Sequence, residues 1–224
     1  MKRLTIAAIL LVAFASIANA QGPITNAAVW QMPPTFLAAA HKACDNAPQP
    51  SNFAQCFINQ MSRAGATPAA VAFTQALYKQ SKGEVGIMTG FNKVGPVVDV
   101  AFVTYPLRAN TNNGVLFLNG TPKIVNGEDL KLLNLTQLKQ DPQYGNTINQ
   151  FPKAAVWPGD RDGTTWPNSN SNSEGGVSFT LGYPMLDGCH ACRKVGDVMF
   201  NWKFGPTGKF LGTSFMGMTP PPVQ

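Results

Sequence analysis

The sequence predicts an α+β fold in which N-terminal helices pack on a largely antiparallel β-sheet, with a long irregular loop before the C-terminal strands. Two changes of pattern along the chain carry this reading. Over residues 27–82 apolar side chains recur at helical spacing behind residues suited to starting helices. From about residue 84 to 218 the apolar period shortens to that of strands, with turn-forming residues rather than helices between the runs. Neither an internal repeat nor a clean linker divides the two parts, so residues 21–224 read as a single domain.

Ahead of that domain, Lys2 and Arg3 precede a run from Leu4 to Ile17 that is apolar except for Thr5 and Ser16, followed by Ala18-Asn19-Ala20. A short cationic start, a greasy stretch and small residues before a cut describe an export signal. Residues 1–20 therefore read as a cleavable signal peptide, cut between Ala20 and Gln21, and the mature protein is expected to be secreted or periplasmic. The apolar run falls short of the roughly 20 residues a bilayer crossing needs. No later stretch is longer or greasier, so the mature chain is not expected to span a membrane.

The first helix is expected from about Thr35 to Asp45, after Pro33-Pro34, with Phe36, Leu37, Ala40 and Ala43 recurring near helical spacing. The Asn46-Ala47-Pro48-Gln49-Pro50 stretch cannot continue it, and Ser51 is placed to cap a second helix bearing Phe53, Cys56, Phe57 and Met61. Gly65 closes that helix. Thr67-Pro68 opens a third, whose apolar face carries Val71, Phe73, Leu77 and Tyr78 and which stops near Gly83.

Strands follow at Val85–Phe91, Val97–Tyr105 and Val115–Leu118, joined by Gly95-Pro96 and Asn112-Asn113-Gly114. Leucines clustered between Leu130 and Leu138 return briefly to a helical pattern, and Asp141-Pro142 begins another short helix. Residues 152–176 are rich in Pro, Gly, Asn and Ser with few apolar anchors, and read as the long loop. Three more strands end the domain at Val177–Tyr183, Asp197–Phe204 and Lys209–Phe215, the last two joined as a hairpin by Gly205-Pro206-Thr207-Gly208.

Composition narrows the function classes. The chain carries a formal charge of +6, and loses Lys2 and Arg3 with the signal. The remaining basic residues, such as Lys79, Lys93, Arg108 and Lys131, stand singly and form no dense patch for neutralising phosphates, so nucleic acid is not an expected partner. A binding or structural role is expected, with a ligand or protein partner of a kind the residues do not specify. The only histidines are His41 and His190, and no Gly-x-Ser-x-Gly elbow is present, which argues against a serine or cysteine hydrolase and leans the reading away from an enzyme.

Four cysteines in an exported chain are expected to pair. Cys44 and Cys56 fall on successive helices, which pairs them and leaves Cys189 with Cys192. Closing the first bridge is worth about 3 kcal/mol on the chain-entropy model, and the second closes almost no loop. Cys189-His190-Ala191-Cys192 therefore raises a question of chemistry, and three readings of it are open. It pins a turn between strands; it exchanges disulfides, with His190 favouring a thiolate; or Cys189, His190 and Cys192 hold a soft metal. Gly188 and Lys194-Val195-Gly196 around it point to a strand-to-strand turn, without the helix start that activates thioredoxin-type motifs. Covalent haem would need His where Arg193 stands. No cofactor is expected.

Three lesser candidates remain. His41 lies one helical turn before Cys44. Asp160, Asp162 and Gly163 are similar to the start of a calcium loop, but lack the closing Glu and read as a turn. Trp157 and Trp166 flank that turn, where they line a ligand groove or anchor the loop on the core.

Overall fold

The computed structural model describes residues 22–46, 49–108, 112–159, 166–173 and 175–219. The expected cut between Ala20 and Gln21 and the Asp160–Gly163 turn lie outside the described residues. After a short 3-10 turn at Asn26–Ala28 come helices α1 (Phe36–Cys44), α2 (Pro50–Arg63) and α3 (Pro68–Ser81). The start of α3 is built as its sequence implies: Thr67 Oγ1 accepts the Ala70 N–H at 3.0 Å, and Pro68 fills the first turn. The start of α2 differs. Gln49 takes the cap position and Ser51 falls inside the first turn, because Pro50, with its preset φ and missing N–H, suits the opening helical position better than the serine does.

Strands β1 (Ile87–Asn92), β2 (Asp99–Tyr105), β3 (Asn112–Leu118) and β4 (Ile124–Asn126) form one antiparallel sheet in chain order. A 3-10 turn at Leu130–Leu132 and helices α4 (Leu135–Lys139) and α5 (Pro142–Gln150) lead to a second antiparallel sheet. Its strands are β5 (Ala154–Val156), β6 (Asn168–Ser171), β7 (Val177–Asp187), β8 (Lys194–Phe204) and β9 (Phe210–Thr219), in the order β5-β7-β8-β9 with β6 also on β7. The α+β class stands, and the strands divide into two sheets.

Burial of side chains explains the division. In β2, Val100 and Phe102 face Phe179, Leu181 and Trp202 of the second sheet, while Ala101, Val103 and Tyr105 face Phe73 and Leu77 of α3. The first sheet is thus a middle layer, covered by helices on one side and by the second sheet on the other. A strand buried on both faces reads as a continuous apolar run, which hides the existence of a second sheet from periodicity alone. Helices α1 and α2 complete a separate apolar cluster with Trp30, Phe36, Phe57 and Met61.

The long loop expected over residues 152–176 is interrupted by β5 and β6, which share the free edge of β7. The four residues of β6 are all exposed Asn and Ser. It is a strand because its backbone completes the β7 ladder, and its side chains carry no alternation from which to read it. The hairpin at Gly205–Gly208 forms as expected, with the Gly205 N–H donating to the Lys209 carbonyl at 2.9 Å. That hairpin also joins the sheets: the Thr121 N–H donates to the Gly208 carbonyl, and the Phe210 N–H to the Thr121 carbonyl, each at 2.9 Å.

Candidate functional site

Both disulfides are present. Cys44, at the end of α1, bonds Cys56 on α2, with the Cα atoms 5.8 Å apart. Cys189 bonds Cys192 within the turn that joins β7 to β8, with the Cα atoms 5.0 Å apart. In that turn the Cys192 N–H donates to the Cys189 carbonyl and the Asp187 N–H to the Arg193 carbonyl, each at 3.0 Å. Gly188 takes a φ of 92° that a side chain would resist. The motif is therefore a clipped β-turn, with no helix dipole on its sulfurs. Cys189 is exposed and Cys192 half-buried.

The same turn carries His190, which is exposed and lies edge-on to Trp157 with ring centroids 5.7 Å apart. Trp157 follows β5, its backbone N–H donating to the Pro184 carbonyl at 2.9 Å. Its indole Nε1 is buried and has no hydrogen-bond partner among the described residues. Leaving an N–H in that state costs roughly 1–3 kcal/mol. Trp166 is placed elsewhere: it stacks on Phe102 at 4.0 Å and packs against the core between the sheets. The two tryptophans thus part company, Trp166 anchoring its loop and Trp157 facing a groove.

That groove, of about 810 Å³, opens where the end of α3, strand β4, the segment after it, Trp157, His190 and Phe210 converge. On its wall Arg108 forks onto Glu84, with Nη2 2.9 Å from Oε1 and 2.8 Å from Oε2. The guanidinium also sits 3.7 Å from the centre of the Tyr105 ring, a cation–π contact. Tyr105 is 1 % exposed and its hydroxyl has no hydrogen-bond partner among the described residues. Burial pushes its phenol well above the ordinary tyrosine range, opposed by the positive charge of Arg108 and reinforced by Glu84 and Glu128. Gly114 makes room for this arrangement: a Cβ there would come within 2.8 Å of Glu128 Cγ and 2.9 Å of a Tyr105 ring carbon. Glu128 is 5 % exposed, and its backbone N–H donates to Asn126 Oδ1 at 2.9 Å.

Of the residues singled out from the sequence, the fold brings together Trp157, His190, Cys189 and Cys192, and leaves Cys44, Cys56, Trp166 and His41 apart from them. His41 is exposed on α1, its ring 5.2 Å from that of Phe53. Among the described residues no group of three or more His, Cys, Asp or Glu side chains is placed to hold a metal ion. Sequence pattern alone misses Glu84, Asn126 and Glu128, and shows Arg108 only as one of many scattered basic residues. A glutamate or an asparagine in a strand-rich segment gives no signal until the topology gathers it. No helix among the described residues is long and apolar enough to cross a membrane. No protein-family model, curated protein or solved structure matches the chain.

Proposed function

We propose that this is an exported, soluble, disulfide-stabilised binding protein, a single domain from Gln21 onward, whose ligand occupies the groove beside the Cys189–Cys192 turn. The observation that carries the reading is the convergence on one groove of Trp157, His190 and the Glu84–Arg108 pair, drawn from distant parts of the chain. Its volume lies within the roughly 300–1,000 Å³ of small-ligand sites, and an aromatic body with a few convergent polar groups is their usual lining. In this reading the bridge holds the turn that carries His190, and the leader ending at Ala20 delivers the chain to a compartment where the bridge persists.

A thermal-shift screen of small polar compounds tests it, run on the mature protein, on variants of two residues that line the groove, Trp157→Ala and Lys82→Ala, and on His41→Ala. A compound that raises the melting temperature of wild type and His41→Ala, but not of the two groove variants, supports the reading. Stabilisation that ignores the groove variants overturns it.

A second reading, thiol–disulfide exchange or soft-metal handling at Cys189, His190 and Cys192, draws support from the exposure of Cys189 beside an imidazole. Against it stands the turn geometry, which gives the sulfurs no helix N-terminus. Equilibration in dithiol redox buffers separates the two. A potential near those of envelope oxidoreductases favours exchange, whereas a bridge that resists reduction favours a fastener. Metal analysis of protein purified without chelator tests the soft-metal version, which falls if zinc and copper are absent.

A further inference from the structure

We infer that the groove takes an uncharged polyhydroxylated chain, an oligosaccharide; the inference rests on the groove being the binding site proposed above. Three features of the described lining lead there. The first is charge. Glu84, Glu128 and Asp129 are set against Lys82, Arg108 and Lys131, and Glu84 is already neutralised by the Arg108 fork. A polyanion would meet carboxylates and a polycation would meet lysines and arginine, so neither is drawn in by a field of one sign.

The second is the backbone. Strand β4 borders the groove and is the edge of its sheet, which would suit an extended peptide adding itself as a further strand. The carbonyls that such a peptide would use are engaged, however. That of Ile124 accepts Gln80 Nε2–H at 2.7 Å, and that of Asn126 accepts the Asp129 N–H at 3.1 Å. An added strand would have to displace both, so recognition falls to side chains.

The third is the kind of side chain available. Sugar rings present apolar C–H faces bordered by hydroxyls that donate and accept in adjacent pairs. Trp157 and Phe210 offer aromatic surface for the former, and the planar Arg108–Glu84 fork and the Asn126 carboxamide offer paired donors and acceptors for the latter. The Trp157 indole N–H is buried and without a partner among the described residues, on a ring that His190 meets edge-on, and a ligand hydroxyl that shifts the imidazole gives it an acceptor. His190 is suited to that exchange, being exposed on a turn whose backbone the disulfide holds in place.

The test is calorimetric titration of the mature protein with chitotetraose, cellotetraose and maltotetraose, with tetra-alanine and tripolyphosphate as comparators, repeated on Trp157→Ala, Trp157→Phe and Asn126→Ala. The expected result is binding of at least one tetrasaccharide, weakened tenfold or more by Trp157→Ala and Asn126→Ala and partly retained in Trp157→Phe. Melting temperatures near that of wild type show that the variants are folded. Binding of tetra-alanine or tripolyphosphate, lost in Trp157→Ala while no sugar binds, overturns the oligosaccharide assignment and leaves the groove standing. Sugar binding that survives both Trp157→Ala and Asn126→Ala overturns the groove itself. Failure of all three tetrasaccharides, with ligands of another class found through the groove variants in the thermal-shift screen, likewise overturns the assignment alone.

Discussion

The hydroxyl of Tyr183 accepts the indole N–H of Trp202 at 3.0 Å, in the buried layer between the two sheets. The same hydroxyl donates to the carbonyl of Gly127 at 2.6 Å, so one side chain ties the centre of the second sheet to the segment that follows β4 and borders the groove. Tyr183→Phe removes the oxygen and strands a buried donor and a buried acceptor together. Leaving such groups unsatisfied costs roughly 1–3 kcal/mol each, and for a chain of this size every kcal/mol lowers the melting temperature by about 2–4 °C. The expected outcome is a clear fall in the urea midpoint with an unchanged slope; a midpoint within error of wild type refutes the account.

The two disulfides differ in worth. The Cys44–Cys56 bridge spans a sequence separation of 12 and the Cys189–Cys192 bridge one of 3. On the chain-entropy model the first stabilises by about 3 kcal/mol and the second by about 1 kcal/mol less. Paired replacement by serine at Cys44 and Cys56 is expected to destabilise the protein more than paired replacement at Cys189 and Cys192, in denaturant melts of each variant. The reverse order would mean that the β7–β8 turn holds more of the fold than its loop length implies.

Helix α3 depends on the residue that caps it. Thr67 Oγ1 accepts the Ala70 N–H at 3.0 Å and donates to the Ala27 carbonyl at 2.7 Å, fastening the N-terminal segment to the helix. Thr67→Ala loses the cap and the tether, at an expected cost of about 1–2 kcal/mol. Thr67→Ser keeps the oxygen and is expected to recover most of that loss. If the serine variant is as weak as the alanine one, the methyl group rather than the hydroxyl matters.

Tyr105 makes stability depend on alkaline pH. An unfolded tyrosine ionises near 10.0, and the buried phenol keeps its proton to higher pH. Above pH 10 the unfolded chain has shed a proton that the folded chain still binds, so unfolding gains ground as pH rises. The contribution is fully present below pH 10, and is lost at up to about 1.4 kcal/mol per pH unit above it, until the folded-state phenol itself titrates. Denaturant melts at a series of pH values between about 9 and 11.5 should show a steeper decline for wild type than for Tyr105→Phe. Parallel declines would assign the alkaline sensitivity to other groups.

Helix starts are legible because their chemistry is local: Thr67-Pro68 and Asp141-Pro142 each place a capping oxygen beside a residue preset for the first turn, and α3 and α5 begin there. The Gly205–Gly208 hairpin is legible for the same reason. Strand β6 is not, because Asn168 to Ser171 owe their conformation to the β7 backbone rather than to their own side chains. The site is half legible. Trp157 and the Cys189–Cys192 turn stand out by residue type, but no local pattern says that they meet. Glu84 and Arg108, on either side of two strands, join them only through the pairing of β1 with β2. Partition into two sheets is equally out of reach, since a doubly buried strand such as β2 announces burial without saying what covers each face.

The sheet β1-β2-β3-β4 follows the chain without a crossover, whereas β5 and β6 both lie against β7, a strand synthesised after them. A chain that emerges amino end first during synthesis can zip the first meander hairpin by hairpin. The two short strands must wait until residues 177–187 arrive. The groove, which draws its walls from Leu77 through Phe210, therefore comes into being last, when nearly the whole polypeptide has been made.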